Sequence, residues 1–496
     1  MPANGRTKSL YGRRRAVVTG HHLATRAAED VLDDGGTLVD AMVCASAVLT
    51  VALPHTSSLG GCAMAMIHDP AHGGLHALNG TGRAPLAATA EHFAAGMPQR
   101  GASAAVTPTL VRFWARAHER LGSLPWQRLL SPAIELAEEG VPLPEELARN
   151  LGNADAAMRS QPGFADTFAI DGRWLRRGEL LRQPRIAAVL REIAARGEAG
   201  FYEGWVASGL VQGVQSRGGL IAQEDLARAQ ADWVQPLRGT FQAHDIFVMP
   251  PNSMGVLMLQ QLQDASGGDL AREVASAIDI IARGQRRIGD PSRVSEADFT
   301  TTNAPAIRAE PGDTTGFVAM DHQGRAIAML QSVFQPFGSG YVDARTGVLL
   351  NNRMFDFSLA PGHVNQVAPG MRPAHTLNPY IAMRDGAARL AGVSPGGVSQ
   401  TTTGAQVLRG ALGEPAASLG EVVSRDRWSL GRDGAVLLEK GVPSEVAARL
   451  REAGLRVTEN SEHEFYFGSA KVIRRLADGT LEAAADPRRQ AHAAAG

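Results

Sequence analysis

Cysteine is nearly missing from this chain: 496 residues contain two, Cys44 and Cys62. Each lies inside an apolar stretch, which excludes a disulfide framework and marks both as small buried hydrophobes. Net charge is nearly absent as well. With 49 Lys+Arg against 50 Asp+Glu, no long-range field draws the chain to nucleic acid or to an anionic membrane surface, so small molecules are the expected partners. Long apolar runs are lacking too: the most apolar early segment, 42–53, falls short of the ~20 residues that a membrane helix needs. Asp40 and His55 bracket it, and a buried core helix is expected there. The basic N-terminal stretch is followed by neither an uninterrupted apolar region nor a small-residue cleavage site, so a cytoplasmic address is expected. His21 and His22 are adjacent rather than a helical turn apart, and no acidic partner completes a ligand set, so neither a metal nor any other cofactor is expected.

What is present is an ordinary globular composition, 44% hydrophobic and 20% charged, long enough to bury a large core in one domain or two. Up to about residue 250 the apolar spacing is largely helical, at 40–53, 109–121, 126–139, 184–195 and 203–215. Between these, 64–67 and 76–78 read as a strand hairpin interrupted by Asp69-Pro70 and Gly73-Gly74. After Gly312 the texture changes. Two apolar runs, 315–320 and 326–332, are joined by Asp321-His-Gln-Gly324, which predicts a hairpin beginning at a threonine pair. Further strands are expected at 347–350, 380–383 and 388–393, and helices at 400–412 and 443–453. This mixture predicts stacked sheets flanked by helices, an α/β (α+β) arrangement. The polar stretch 293–313 reads as an exposed loop in which a cut would be tolerated.

A hydroxyl is a poor nucleophile at neutral pH unless a base sits beside it. One solution places it on the first residue of a chain, whose α-amine then serves as the base. Gly312-Asp-Thr-Thr-Gly316 suits that arrangement: a flexible glycine precedes the threonines, and the hairpin would hold Thr314 at a sheet end. Thr300–Thr302 and Thr401–Thr403 also occur, and threonine pairs are common at strand starts, so spacing alone does not single out Thr314. Ser394-Pro-Gly-Gly397 follows an apolar strand and precedes a helix. Its backbone N–H groups could cradle an oxyanion, although a tight turn alone would use the same residues.

Taken together, the motifs resemble the gamma-glutamyltransferase family, proenzymes of the N-terminal nucleophile hydrolase class. The resemblance runs nearly end to end. It includes Asp34-Gly-Gly-Thr-Leu-Val-Asp-Ala41, Pro54-His-Thr-Ser-Ser-Leu-Gly-Gly61, Gly122-Ser-Leu-Pro-Trp126 and Gly200-Phe-Tyr-Glu-Gly204. In the second half it includes Asp313-Thr-Thr-Gly316, Phe337-Gly-Ser-Gly340, Leu349-Leu-Asn-Asn-Arg-Met-Phe-Asp-Phe-Ser358, Ser394-Pro-Gly-Gly397 and Ala485-Asp-Pro-Arg-Arg489. It implies a four-layer αββα sandwich and autocleavage between Asp313 and Thr314. Residues 1–313 would form a large subunit and 314–496 a small one, the two remaining together as one αββα domain, with pairing into a larger homo-oligomer as a further expectation. It also implies Thr314 as nucleophile, Ser332 as a hydroxyl supporting it, Gly396 and Gly397 as the oxyanion hole, Asn351 and Asn352 as pocket wall, and Asp356 as the group that binds a substrate α-ammonium.

Several positions depart from the family pattern. Thr81 stands where the family's carboxylate-binding arginine is found, and Arg83, two residues on, is the nearest replacement. Phe334 replaces an asparagine and Arg353 a glutamine, while His375-Thr376 replace a serine pair; Arg353, His375 and Thr376 are expected, with Arg83, Asn352 and Asp356, to line the substrate site, and His375 to support its surroundings by hydrogen bonding. The Gly82–Pro85 and His375–Pro379 signatures are similar to those of acylase and oxamate-type amidohydrolase branches. The resemblance implies a self-processing amidohydrolase or acyltransferase that forms a threonyl acyl-enzyme with γ-glutamyl compounds such as glutathione. The alternatives are a short acid amide as substrate, or an uncut, inactive binding protein.

Overall fold

The computed structural model describes residues 7–264, 268–294, 312–431, 433–459 and 467–496. Most of the expected exposed loop at 293–313 lies outside these residues. Two antiparallel seven-stranded sheets form the centre. One runs, edge to edge, through His492–Ala495, Arg15–Thr19, Asp313–Asp321, Ala326–Phe334, Cys62–Asp69, Gly74–Asn79 and Asp232–Val234. The other runs through Leu10–Gly12, Leu481–Ala485, Lys471–Arg475, Ala387–Val393, Tyr380–Arg384, His244–Val248 and Leu237–Phe241.

The sheets face each other, and alternating side chains decide what goes where. Val318, Met320, Ala328 and Leu330 point into the space between the sheets, where they meet Ile381, Ala391, Val393 and Ile473. Their neighbours Phe317, Ala319, Ile327 and Met329 point the other way, into a helical layer. With both faces covered, the Asp313–Asp321 and Ala326–Phe334 strands are buried throughout, which is why they read as unbroken apolar runs. The helical layer over this sheet centres on Leu38–Ala52, whose 15 residues are all buried. A reciprocal cap starts it: Thr37 Oγ1 accepts from Asp40 N–H, and the Asp40 carboxylate accepts from Thr37 N–H. Gly255–Gln263 and Ser399–Gly413 cover the outer face of the second sheet. The layering is therefore α-β-β-α, as expected.

The 64–78 and 315–332 hairpins form, as Cys62–Asp69 with Gly74–Asn79 and Asp313–Asp321 with Ala326–Phe334. The strand expected at 347–350 does not. The Asp343 carboxylate accepts from the N–H of Thr346 and from its hydroxyl, and Gly347 takes φ +72°, so the chain turns there. Leu349 and Leu350 then make only isolated bridges, to Val342 and Gly60. Among the described residues, no helix is long and apolar enough to cross a membrane.

Candidate active site

Thr314 is the second residue of a central strand. The register steps from Asp313↔Phe334 to Thr315↔Gln331, so a bulge falls at Thr314 and releases the Asp313–Thr314 peptide from regular pairing. Ser332, on the neighbouring strand, fills the gap. Its hydroxyl accepts from Thr314 Oγ1 (3.2 Å) and from Phe334 N–H (2.8 Å), and donates to the carbonyl oxygen of Asp313 (2.7 Å). One hydroxyl thus links the threonine oxygen to the carbonyl immediately before it. Both side chains are buried.

Below this peptide lies a buried charge cluster. Arg489 Nη1 reaches Asp313 Oδ1 (2.8 Å) and Glu146 Oε1 (3.2 Å), and His55 Nε2 stands 3.8 Å from Asp313 Oδ2 and 3.9 Å from Glu146 Oε1. Asp313 Oδ1 also accepts from Thr314 N–H at 2.9 Å. Burial pushes the Asp313 carboxyl up, and the negative Glu146 adds to this against Arg489 and His55. Glu146 is held low because Arg489 and His55 together outweigh its desolvation. Potential ligand atoms of His55, Glu146 and Asp313 lie within 4.8 Å of one another. The guanidinium of Arg489, in contact with both carboxylates, supplies the cluster's positive charge. Lys471 is nearby and fully buried. Burial, then the charge of Arg489, bring its ammonium down to about 8.

The Ser394–Gly397 turn approaches the chain just before the Asp313–Thr314 peptide, at Gly312. Gly396 has φ +134° and Gly397 φ +59°, values that a side chain would strain, and a Cβ on Gly312 would lie 3.0 Å from the Cα of Gly397. The turn's own hydrogen bonds run through the two carbonyl oxygens, which accept from Ser399 and Gln400 N–H. Gly396 and Gly397 are thus brought to the residue before Asp313.

The third wall comes from the 351–356 segment, docked against the end of the Ala326–Phe334 strand by Asn352 N–H donating to Val333 O (3.2 Å). Asn351 fixes the segment from behind: its amide donates to Gly60 O and Val106 O and accepts from the N–H of Val106 and Arg353. Asn352 is spent the same way, on Gln335 and Gln99. Arg353 is 1% exposed, with its guanidinium carbon 4.0 Å above the Phe334 ring centroid and Nη1 3.9 Å from Asp356 Oδ2. His375 is buried, and burial together with the Arg353 charge holds it neutral. Its Nδ1 accepts from Leu377 N–H, leaving Nε2 to face Cys62 Sγ at 3.2 Å. His375 is thus tied to Leu377 and Cys62, and the buried Thr376 lies beside it.

Arg83 goes elsewhere. Its guanidinium donates to Gly370 O (3.0 Å), lies 3.6 Å from Asp290 and 3.8 Å from Asp232, and lines a surface cleft of about 280 Å³ with Thr107, Asp225 and Arg228. Thr81 is locked inward by Asn79 and Asn252. Arg353, rather than Arg83, is the cation brought into contact with Phe334, next to Ser332. Sequence reasoning gave no role to His55, Glu146, Arg489, Lys471 or Cys62. His55 and Arg489 stood inside motifs already noted, whereas nothing in the local sequence marked Glu146 or Lys471.

A threonine at the head of a buried strand in an αββα sandwich, joined through one hydroxyl to the carbonyl before it, is the arrangement of an N-terminal nucleophile hydrolase. The chain belongs to the gamma-glutamyltranspeptidase family, which it matches over residues 24–281 and 277–496. It is 33% identical to an oxamate amidohydrolase proenzyme of Klebsiella pneumoniae subsp. pneumoniae, the alignment covering 96% of this chain and 97% of that protein. It is 29% identical to a glutathione hydrolase proenzyme of Escherichia coli strain K12, over 94% and 89% of the two. Cephalosporin acylase from Bacillus halodurans superposes with a TM-score of 0.90 at 28% identity, covering 100% of this chain and 98% of that one. The chain is accordingly an enzyme of a family of amidohydrolases and acylases.

Proposed function

We propose that this protein is a self-cleaving amidohydrolase whose mature nucleophile is Thr314, acting on amides of short polar acids. The reading is carried by the Thr314 Oγ1–Ser332 Oγ–Asp313 O relay, with distances of 3.2 and 2.7 Å. Thr314 Oγ attacks the Asp313 carbonyl carbon while Ser332 donates to the oxygen that becomes negative. The C–N bond breaks, the threonine nitrogen takes the proton, and water then hydrolyses the resulting ester. The products are a chain ending in the Asp313 carboxylic acid and a chain beginning with a free Thr314 amine. That amine next serves as base for Thr314 Oγ, which attacks the substrate amide while N–H groups of Gly396 and Gly397 receive the oxyanion. Water releases the acid from the acyl-threonine.

The two fragments are proposed to stay together, because strand pairs cross the cut in both sheets: Arg15–Thr19 with Asp313–Asp321, Cys62–Asp69 with Ala326–Phe334, and His244–Val248 with Tyr380–Arg384. Purified protein on a denaturing gel should run as two bands. Thr314→Ala should give one band near 52.4 kDa and no turnover; two bands from the variant would remove Thr314 from the mechanism, and a single band from the wild type would favour the uncut, inactive binding protein.

For the substrate, a panel of oxamate, succinamate and a γ-glutamyl anilide should show amide release from at least one. The γ-glutamyl reading draws on Asp356, whose carboxylate 3.9 Å from Arg353 makes an opposite-charge pair matched to an α-ammonium and an α-carboxylate. Failure to release aniline from the γ-glutamyl anilide, with release of ammonia from the short acid amides, would set that reading aside.

A further inference from the structure

Arg353 is an anomaly by the ordinary rules of protein interiors. A guanidinium carries five N–H donors and keeps its charge at any pH the fold survives, and buried charges are almost always paired and hydrogen-bonded. Here the side chain is 1% exposed, yet Nε, Nη1 and Nη2 have no hydrogen-bond partner among the described residues. Asp356 balances the charge from 3.9 Å, too far for a hydrogen bond. Phe334 offers only the face of its ring, which attracts a cation without using any of its N–H groups. An unfilled donor fork in a buried place is what a receptor for a planar anion looks like before the anion arrives.

Its position says which anion. Phe334 pairs directly with Asp313 and donates its N–H to Ser332 Oγ, so the ring under Arg353 is one residue pair from the peptide that Thr314 attacks. Phe334 also holds φ +83°, a costly conformation for a bulky residue, and strain of this kind collects at ligand sites. Apart from Asp356, the side chains named beside it bring no charge. His375 is neutral, and the Cys62 thiol is pushed up to about 11 by burial. The cation that could have served from the 79–85 strand end is committed elsewhere: Arg83 is held by Asp232, Asp290 and Gly370 O.

We propose that Arg353 is the specificity residue of the active site and binds a carboxylate on the acyl half of the substrate, so that the preferred substrates are amides of short acids bearing a second, free carboxylate. An α-ammonium on that acyl half is dispensable. This inference rests on Thr314 being the mature nucleophile.

The test uses the self-cut enzyme and two anilides of matched length, glutaryl anilide (carboxylate, no ammonium) and 4-aminobutyryl anilide (ammonium, no carboxylate), with the methyl ester of the first as a neutral control. The wild type should favour the glutaryl compound over its ester by on the order of 10- to 100-fold in kcat/KM, the range expected for charge-assisted hydrogen bonds to a buried group. Arg353→Gln should collapse that ratio toward one, chiefly through KM. Arg353→Lys, which keeps the charge and loses the fork, should fall between. Each variant is scored on protein that has cut itself, so folding is controlled. If the wild type cuts the ester or the aminobutyryl compound as well as the glutaryl one, or if Arg353→Gln keeps the ratio, the proposal is overturned. A wild type that remains a single chain would overturn the nucleophile reading beneath it instead.

Discussion

Ser332 touches three groups at once, and its removal separates their roles. A donor aimed at an oxygen that gains charge during reaction is worth roughly 10²- to 10³-fold in rate. Ser332 Oγ donates to the Asp313 carbonyl at 2.7 Å. Ser332→Ala should therefore slow self-cleavage by about 100-fold or more, read as the disappearance of full-length chain on a timed denaturing gel. Ser332→Thr, which keeps the hydroxyl, should cut far faster than the alanine variant. Equal rates for serine and alanine would show that the hydroxyl plays no part. At this scale the sequence was informative where a residue type was itself the signal. Thr314, Ser332 and the two glycines stood out through the family resemblance; the structure links Ser332 to Thr314 and the Asp313 carbonyl and sets Gly397 against Gly312. Arg83 did not follow, because a displacement of two positions along the chain cannot reveal that Asp232, Asp290 and Gly370 capture it.

The Asp313–Asp321 strand owes the geometry of its first residues to elements far away in sequence. Glu146 comes from the Glu145–Gly152 helix, His55 from just beyond Leu38–Ala52, and Arg489 from the connection between Leu481–Ala485 and His492–Ala495. Arg489 neutralises two buried carboxylates together, and removing one partner of such a group leaves uncompensated charge that costs on the order of 3–5 kcal/mol. Arg489→Met, made in the Thr314→Ala background so that a single chain unfolds, should lower the urea midpoint accordingly. Adding Glu146→Gln should restore part of the loss, because the two changes act on one cluster. Additive losses would argue against the shared cluster. The helices at 38–52, 110–121 and 126–139 announced themselves by spacing, whereas Arg15–Thr19, with four of its five residues buried, is too short for a period to be detected. A buried glutamate on an eight-residue helix has no local mark at all.

For the whole molecule, acid should be more damaging than the near-zero net charge suggests. His375 is held neutral well below its ordinary range by burial, and His21 is brought to about 4 by burial and by the charges of His22 and His492. Below the unfolded value of 6.5, the unfolded chain binds protons that these folded side chains refuse. Stability is then lost as pH falls, by about 1.4 kcal/mol per pH unit for each such group. For His21 the loss runs from 6.5 down to about 4 and stops there. Urea midpoints of the Thr314→Ala chain should drop between pH 7 and pH 5, and His21→Gln should make that drop smaller. An unchanged drop would remove His21 from the explanation. Architecture was legible at this scale, since helices before residue 250 and paired strands after 312 left few arrangements other than layered sheets under helices. The interleaving of strands from the two sides of the proposed cut was not, since pairing partners such as Cys62–Asp69 and Ala326–Phe334 lie some hundreds of residues apart. The most direct measurement of the account is the intact mass and N-terminal sequence of the smaller fragment of the purified protein. It should begin Thr314-Thr315-Gly316 and run to Gly496; a fragment beginning at any other residue, or a chain that never divides, would contradict it.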